Sequence, residues 1–443
     1  MTTREEVMAA ISDQKIHFID LWFTDITGLV KSITLPASEV ENVLEEGAHF
    51  DGSTIEGFAR VAESDMVLIP DLDTFAVLPW DPPEERTARL ICTVHTVQGE
   101  PFIGDPRIVL TRMSEQAEAM GFTYKTGIEL EFFLFRATED GANPLLPQDR
   151  AGYFDMSTGQ SQSIRRKMLA TLSALNIPVE STHHEIGSGQ HEIDLRFDRA
   201  LASADKVLTS RVALKTIAQR QGLYCTFMPR PVENLPGSGM HTHQSLHDLQ
   251  TGDNSFAQTG DQYGLSPTAR HFLAGQLHHA RALAAVLAPL VNSYKRLGTS
   301  FEAPVYVTWA HINRGALIRV PHIAPGRETH TRLELRCPDP SSNPYLASAV
   351  MLAAGLNGIR QQMQLPEPLE ETLFQQDPSR RRRLEVLPTS LGEALDALAQ
   401  DEVILSALGP FISDRYLAAK RQEFDAYNRQ ITPWELERYF SHY

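Results

Sequence analysis

The chain has 443 residues, of which 42% are hydrophobic, and a formal charge of −16 at pH 7. This length accommodates one large domain and one smaller domain, whereas the negative charge argues against a nucleic-acid partner. No basic-plus-apolar leader begins the sequence, its apolar runs are too short to span a bilayer, and its three cysteines are widely spaced, so we expect a cytoplasmic protein without a membrane partner.

The first hundred residues predict a small sheet-based domain, residues 1–103. Strand-like segments at 15–23 and 28–35 are joined by Asp25-Ile-Thr-Gly28, which is typical of a hairpin, and a further strand is predicted at 90–96. The segment from Gly104 to Arg107 predicts a turn followed by a helix with Pro106 in its first position. We therefore place the domain junction there.

The rest of the chain, residues 104–443, predicts a larger α+β domain in which short strands alternate with amphipathic helices. The strands carry the polar motifs and the helices are apolar on one face, which suits a sheet with one open face that is backed by helices. Helices are predicted at 108–120, 163–174, 204–220, 267–287 and 344–362.

Paired carboxylates are the most informative feature of the larger domain. Glu129 and Glu131 stand two residues apart on an apolar strand and therefore point to the same face. Glu185 and Glu192 flank a Gly-Ser-Gly turn that leads into another strand. Because buried carboxylates without a partner are costly and repel each other, these pairs favour a bound cation over a surface location.

A histidine pair and a further acidic motif extend this set. His241 and His243 share a strand face after a glycine-rich approach, and the pair suggests one metal ligand and one phosphate donor. Glu334 lies between Arg332 and Arg336 on one strand face, where an exposed salt-bridged face is the simpler interpretation. Five carboxylates and one imidazole without cysteine predict a site for two divalent ions, Mg²⁺ or Mn²⁺.

Arginines supply the anion-binding side. Arg296, Arg314 and Arg319 lie near apolar strands, where guanidinium groups need anionic partners. Two metal ions with several arginines match the needs of a nucleotide triphosphate and a carboxylate substrate. The sequence contains neither a P-loop nor a Gly-x-Gly-x-x-Gly fingerprint, so neither of those nucleotide sites is predicted. The neighbouring His183 and His184 are interpreted as structural.

Six segments resemble the successive signatures of class I glutamine synthetase, in that family's order, and the resemblance covers nearly the whole chain. It implies an N-terminal β-grasp domain, a catalytic domain with an open, barrel-like antiparallel sheet backed by helices, and a homo-oligomer of two stacked hexameric rings, a dodecamer. It also implies an ATP-dependent ligase that activates the γ-carboxylate of L-glutamate as γ-glutamyl phosphate and transfers it to ammonia. The segments are 50–58, 127–135, 183–197, 237–245, 292–319 and 332–345.

The resemblance also implies roles for individual residues. One metal would be held by Glu131, Glu185 and Glu192, and the other by Glu129, His241 and Glu334. The implied ATP contacts are Glu180, Phe197, His243, Ser245, Arg314 and Arg319. The implied glutamate and ammonium contacts are Tyr153, Gly237, Arg296, Glu302 and Arg336. The implied catalytic residues are Asp51 as general base, lent by a neighbouring subunit, Glu302 in a mobile flap, and Arg314 beside the transferred phosphoryl group.

Several positions depart from the family pattern. Pro236 replaces an asparagine, Thr54 a serine, and the flap sequence Gly298-Thr-Ser-Phe301 replaces Val-Pro-Gly-Tyr. Because these changes cluster around the glutamate and amine pockets, a γ-glutamyl-amine ligase for a polyamine or small alkylamine is the first alternative, and a non-catalytic relative is the second. Phe374 stands where some members carry an adenylylated tyrosine, so no adenylylation is expected there.

Overall fold

The computed structural model describes two sheets and a layer of helices. In the described part of the chain, no helix is both long and apolar enough to cross a lipid bilayer. The described residues are 2–53, 55, 65–137, 147–156, 159–298, 303–324, 326–371 and 383–443.

The first unit is a five-stranded sheet covered by two helices, α1 (Arg4–Asp13) and α2 (Val40–Glu46). Its strands are β1 (Phe18–Thr24), β2 (Val30–Pro36), β3 (Ala48–Asp51), β4 (Asp65–Val77) and β5 (Thr87–Thr96). Their order is β2-β1-β5-β4-β3, with β1 and β5 parallel and the other neighbours antiparallel. This arrangement confirms the expected β-grasp unit.

The small sheet is buried on both faces because its central strands alternate between two hydrophobic cores. On β1, Leu21 and Phe23 join the core beneath α1 and α2, whereas Trp22 joins the larger core of the second unit. On β5, Leu90 and Ile91 divide in the same way. Since side chains on a strand point alternately to opposite faces, the sheet acts as a wall shared by the two units.

The second unit is built on an eight-stranded curled sheet. Its strands are β6 (Phe122–Arg136), β7 (Val179–His184), β8 (Gln190–Arg199), β9 (Leu223–Thr226), β10 (Thr242–Asp248), β11 (Trp309–Ala310), β12 (Ile318–Arg319) and β13 (Leu333–Leu335). Their order is β11-β12-β13-β10-β6-β8-β7, and β9 pairs with β6 outside this path. Neighbours are antiparallel, as expected, except for the parallel β11–β12 pair at one edge.

Helices back this sheet, as predicted, and one helix that is buried over most of its length is central to the packing. The helices are α3 (Pro106–Ala119), α4 (Gln160–Ala174), α5 (Ala200–Arg220), α6 (Pro267–His278), α7 (Ala280–Leu287), α8 (Ser293–Arg296), α9 (Pro344–Arg360), α10 (Leu391–Leu398), α11 (Glu402–Leu408), α12 (Pro410–Asn428) and α13 (Pro433–Tyr439), with 3₁₀ turns at Ala37–Glu39, Pro83–Glu85 and Glu328–His330. Helix α9 packs against α3, α5, α6, α7 and α11. It begins as expected, with the Asn343 side chain accepting hydrogen bonds from two backbone N–H groups of its first turn.

The single helix predicted at 267–287 is wrong, because the chain bends at His279 between α6 and α7. The His279 ring lies 2.6 Å from Asp401 Oδ2 through Nδ1 and 3.1 Å from Asn357 Oδ1 through Nε2. Both partners belong to elements distant in sequence, so local periodicity could not reveal the break.

A buried ion network joins the two units at the start of α3. Arg107 Nη2 lies 2.6 Å from Asp71 on β4 and 2.9 Å from Asp205 on α5, and the Tyr345 hydroxyl donates to Asp205 at 2.6 Å. Burial by itself would lower the pKa of Arg107, but the neighbouring Asp205 raises it well above its usual value. The predicted boundary between residues 103 and 104 stays a prediction, and it falls just before this network.

The crossing of α6 and α9 generates a stability prediction at Gly275. A Cβ at this residue would lie 2.2 Å from the Ala354 carbonyl oxygen and 2.7 Å from the Gly358 nitrogen. Because backbone atoms cannot move aside, we expect Gly275→Ala to destabilise the protein by about 1–3 kcal/mol, measured as a lower urea midpoint. Gly152→Ala is the matched control, since the nearest atom there is 3.5 Å away. Equal midpoints for the two variants would contradict this packing.

Candidate active site

Strand pairing brings the predicted ligands into one row across five adjacent strands. Glu192 on β8 lies opposite His183 on β7 and opposite Glu131 on β6. Farther along the row, Glu334 on β13 lies opposite His243 on β10. Directly paired residues share a face of the sheet, so these side chains gather on its open side. We call these residues, together with Glu129, His241 and Glu185 beside them, the ligand row.

One end of the ligand row holds a cluster of Glu129, His241 and Glu334, whose potential ligand atoms all lie within 4.8 Å of one another. Glu129 Oε2 is 3.0 Å from His241 Nδ1, and its other oxygen is 2.7 Å from His243 Nε2. Glu334 Oε1 is 3.9 Å from His241 Nδ1. The structure thus assembles the three residues for which the resemblance implied a shared metal.

At the other end, the potential ligand atoms of Glu185, Glu192 and His183 lie within 4.8 Å of one another. The resemblance had implied Glu131 as the third member of this group. His183 Nε2 is 2.9 Å from Glu185 Oε1 and 4.0 Å from Glu192 Oε1. Glu131 lies beside them, and its Oε2 accepts hydrogen bonds from Gln190 Nε2 and the Gly239 N–H, both at 3.0 Å. His183, which the sequence indicated as structural, therefore belongs to the cluster.

The carboxylates at the two ends of the ligand row differ in their electrostatic surroundings. The charged form is stabilised at Glu129 and destabilised at Glu131 and Glu192. Burial alone would raise the pKa of Glu129, but hydrogen bonds from His241 and His243 hold it well below its usual value. Burial and the neighbouring Glu185 raise the pKa of Glu131, and burial and Glu131 raise that of Glu192. A divalent cation would relieve this repulsion, and carboxylate oxygens with imidazole fit a hard cation.

The turn between β7 and β8 fixes the end that holds Glu185 and Glu192. Gly189 has a φ of +71°, and a Cβ there would lie 2.7 Å from the Leu134 carbonyl oxygen, so the position requires glycine. The next residue, Gln190, links this turn to Glu131 and was not assigned a role from the sequence. Its position in the Gly-Ser-Gly-Gln turn is the signal that could have identified it.

Two cavities open beside the ligand row, with volumes of about 710 and 380 Å³. The larger is lined by Glu129 and by four residues with implied ATP contacts: Glu180, Phe197, His243 and Ser245. The smaller is lined by Glu131, Glu185, His241 and three residues with implied glutamate contacts: Gly237, Arg296 and Arg336. Glu129 and Glu131 are neighbours on one face of β6, and each of them lines one of the two cavities, so both cavities border the ligand row.

Arginines converge on Glu334 from two sides. Arg336 Nη1 hydrogen-bonds Glu334 Oε1, and Arg319 Nε lies 3.1 Å from Glu334 Oε2. The buried Arg296 donates to the Arg336 and Cys337 carbonyl oxygens at 2.9 Å each. Glu334 is only 2% exposed, so the exposed salt-bridged face considered for this strand is wrong.

The two described residues with implied catalytic roles lie in different units, Asp51 in the small sheet and Arg314 between β11 and β12. Asp51 is exposed at the end of β3 in the small sheet, where its Oδ1 accepts a hydrogen bond from the Ser53 N–H at 2.8 Å. Tyr153 is 43% exposed, lies edge-on to the His183 ring at 5.6 Å, and hydrogen-bonds the Arg314 side chain. The predictions that fall outside the described residues are those for Thr54, for residues 299–301 of the flap, and for Glu302 and Phe374.

One further residue of the larger cavity was missed from the sequence. Arg332 lines this cavity and its Nε donates to His243 Nδ1 at 3.3 Å. It stands two residues before Glu334 on the same strand face, and this spacing is the signal that points to it.

Comparisons with known proteins agree with this geometry. Two family models match, one described as glutamine synthetase, beta-Grasp domain, at residues 15–97 and one as glutamine synthetase, catalytic domain, at residues 103–439. The glutamine synthetases of Clostridium saccharobutylicum and Thermus thermophilus are 43% and 45% identical to this chain, each over 100% of it and 99% of the relative. A solved GmaS/ADP complex has a TM-score of 0.89 and 32% identity over 100% of both chains. The similarity therefore extends over both units of the fold.

The ligand row generates a prediction about cation binding. Glu129→Gln removes one charge and at least one of the hydrogen bonds with His241 and His243. We expect the affinity for Mn²⁺ to fall by at least about 10-fold, because the loss of partners outside the first coordination shell already costs that much. An electron paramagnetic resonance titration measures it, with the exposed Glu115→Gln on α3 as control. Equal affinities in the two variants would remove Glu129 from the site.

Proposed function

The chain belongs to the glutamine synthetase family, and we therefore propose that it is an ATP-dependent carbon–nitrogen ligase that forms glutamine from L-glutamate and ammonia. The observation that carries this proposal is that two cavities border neighbouring carboxylates of the ligand row, Glu129 for one cavity and Glu131 for the other. A phosphoryl group can pass from a nucleotide to a carboxylate only where both are held in contact, and we assign that contact to the ligand row between these two carboxylates.

Two ions, Mg²⁺ or Mn²⁺, are assigned to the ligand row. When bound, they supply positive charge that neutralises the ATP phosphates. Glu131, Glu185 and Glu192 would hold one ion, with His183 beside them, and Glu129, His241 and Glu334 would hold the other. The carboxylate-rich donor set supports the choice of hard cations.

The first chemical step takes place between a nucleotide in one cavity and glutamate in the other. ATP lies in the larger one, against Glu180 and Phe197, with its phosphates facing His243, Ser245, Arg314 and Arg319. Glutamate lies in the smaller one, held by Gly237, Arg296 and Arg336. A γ-carboxylate oxygen of glutamate bonds to the γ-phosphorus of ATP as the bond to the β,γ-bridging oxygen breaks, which yields γ-glutamyl phosphate and ADP. Guanidinium groups offset the charge that moves.

The second step releases phosphate. Ammonium binds among Tyr153, Glu185 and Glu302, and Asp51 of a neighbouring subunit accepts its proton, so that ammonia can attack the acyl carbon. The bond between that carbon and the phosphate oxygen then breaks, and phosphate leaves with the second proton that the nitrogen loses, which gives glutamine. The exposure of Asp51 at the end of its strand and the contact between Tyr153 and His183 support this assignment. Closure of the flap that carries Glu302 would exclude water, which otherwise hydrolyses the acyl phosphate.

The alternatives to this activity are disfavoured. A γ-glutamyl-amine ligase is not favoured, because the curated relatives that are 41–45% identical over the full chain are glutamine synthetases. A non-catalytic relative is disfavoured because five of the six assigned metal ligands lie in two clusters of potential ligand atoms, and the sixth, Glu131, lines the same cavity as Glu185.

The proposal includes a cytoplasmic dodecamer of two hexameric rings. A neighbouring copy would bring the exposed Asp51 to a ligand row, and it could also cover exposed apolar side chains of the C-terminal region, where Trp434 on α13 is 61% exposed and Phe440 is 83% exposed. Cys92, Cys225 and Cys337 are buried and not in disulfides, which suits a reducing compartment.

An amine panel tests the activity directly. ATP-dependent phosphate release with glutamate and Mg²⁺ is measured separately with ammonium, methylamine, ethanolamine, putrescine and spermidine. We expect turnover with ammonium, since the assigned pocket has anionic and hydroxyl groups suited to a small cation. Faster phosphate release with an organic amine than with ammonium would favour the amine-ligase alternative. No phosphate release with any of the amines would favour a non-catalytic relative.

Asp51→Asn tests the assigned general base. We expect glutamine formation to fall by about 10² to 10⁴-fold, because proton transfer by a positioned base contributes that much, whereas ATP affinity stays unchanged. Calorimetric ATP titration and a glutamine assay measure the two quantities, and Asp73→Asn, exposed in the same sheet, is the control. Equal losses of activity and ATP affinity would contradict the role.

A further inference from the structure

A second polar cluster lies behind the ligand row and has no part in the chemistry above. It consists of Asp149, His184 and His191, whose potential ligand atoms lie within 4.8 Å of one another. Its polar atoms are largely engaged: both oxygens of Asp149 and both ring nitrogens of His184 have hydrogen-bond partners, and Arg165 lies 3.1 Å from His191 Nδ1. One atom of the cluster, the buried His191 Nε2, has no hydrogen-bond partner, but the guanidinium of Arg165 beside the cluster disfavours a third cation there.

Asp149 ties together three separate elements. Its Oδ1 is 2.9 Å from His184 Nε2, at the end of β7, and accepts from the Gly189 N–H at 3.0 Å in the turn before β8. Its Oδ2 accepts from the Ser161 hydroxyl in the first turn of α4. A single carboxylate therefore fixes both ends of the turn that carries Glu185.

His184 extends this connection into the proposed ammonium pocket. Its Nδ1 donates to the Glu185 carbonyl oxygen at 2.7 Å. Its own carbonyl oxygen accepts from the Phe154 N–H at 3.0 Å, which holds the segment that carries Tyr153. Of the two described residues of that pocket, Glu185 is hydrogen-bonded to His184 through its own carbonyl oxygen, and Tyr153 is linked to it through the N–H of the next residue, Phe154.

We propose that Asp149 is a positioning residue, which acts through His184 to place Glu185 and Tyr153 and so sets the affinity of the site for a divalent cation and for ammonium. The ammonium part rests on the proposed function. The physical reason is general: partners behind the ligands orient them, and small displacements of a binding group are costly.

The test compares Asp149→Ala with the wild type in the full-length protein. We expect the Mn²⁺ dissociation constant to rise by about 10-fold or more, and the KM for ammonium to rise more than the KM for ATP. Asp401→Ala is a matched control, because Asp401 also pairs with a histidine, His279, at 2.6 Å and accepts two backbone N–H groups at 3.1 Å. That pair lies in the helical layer, so its loss is expected to lower Tm without changing Mn²⁺ affinity.

Asp149→Asn is the conservative variant. It keeps an oxygen for the Gly189 N–H but loses the carboxylate opposite His184, so partial recovery is expected, with Mn²⁺ affinity at least about threefold below the wild type. If Asp149→Ala does not fold, the asparagine variant decides. Wild-type Mn²⁺ affinity and unchanged KM values, with a lower Tm alone, would overturn the proposal. If the wild type does not use ammonium, the proposed function fails, and the Mn²⁺ comparison still decides the positioning role.

Discussion

Repulsion between carboxylates on adjacent strands is the constraint on which the site depends. Glu131 and Glu192 are paired across β6 and β8, both are buried, and both have raised pKa values. A folded chain keeps such a pair together only if the surrounding structure is rigid and supplies positive charge. At the other end of the row, Arg319 and Arg336 supply that charge to Glu334 from within the protein, and His241 and His243 hydrogen-bond Glu129.

The rigidity comes from the opposite face of the same strands. On β6, Leu130, Phe132 and Leu134 are fully buried in the larger core, while Glu129 and Glu131 alternate with them and face the open side. The backing helices, with α9 at their centre, fill that core. The unfavourable charge density of the site is thus held by a hydrophobic layer that would have to unpack before the carboxylates could separate.

The small sheet has two roles in this arrangement. On one face of the sheet, Leu21 packs in the small core beneath α1 and α2, and on the other face Trp22 packs in the core of the larger unit. The ion pairs of Arg107 add a second connection between the two units. Its far edge leaves Asp51 exposed, away from those contacts. The same unit therefore packs against its own chain through one part of its sheet while leaving Asp51 exposed at another.

The sequence by itself determined the family, the two-unit organisation and the face on which Glu129 and Glu131 lie, because motif order and two-residue spacing are local properties. The tertiary structure decided that Glu334 is buried, that His183 joins the ligand row, and that the helix breaks at His279. Each of these depends on the register of strands or on contacts between elements far apart in the chain, such as the 122-residue separation between His279 and its carboxylate partner. No local pattern encodes such pairings, since they form only when distant segments pack together.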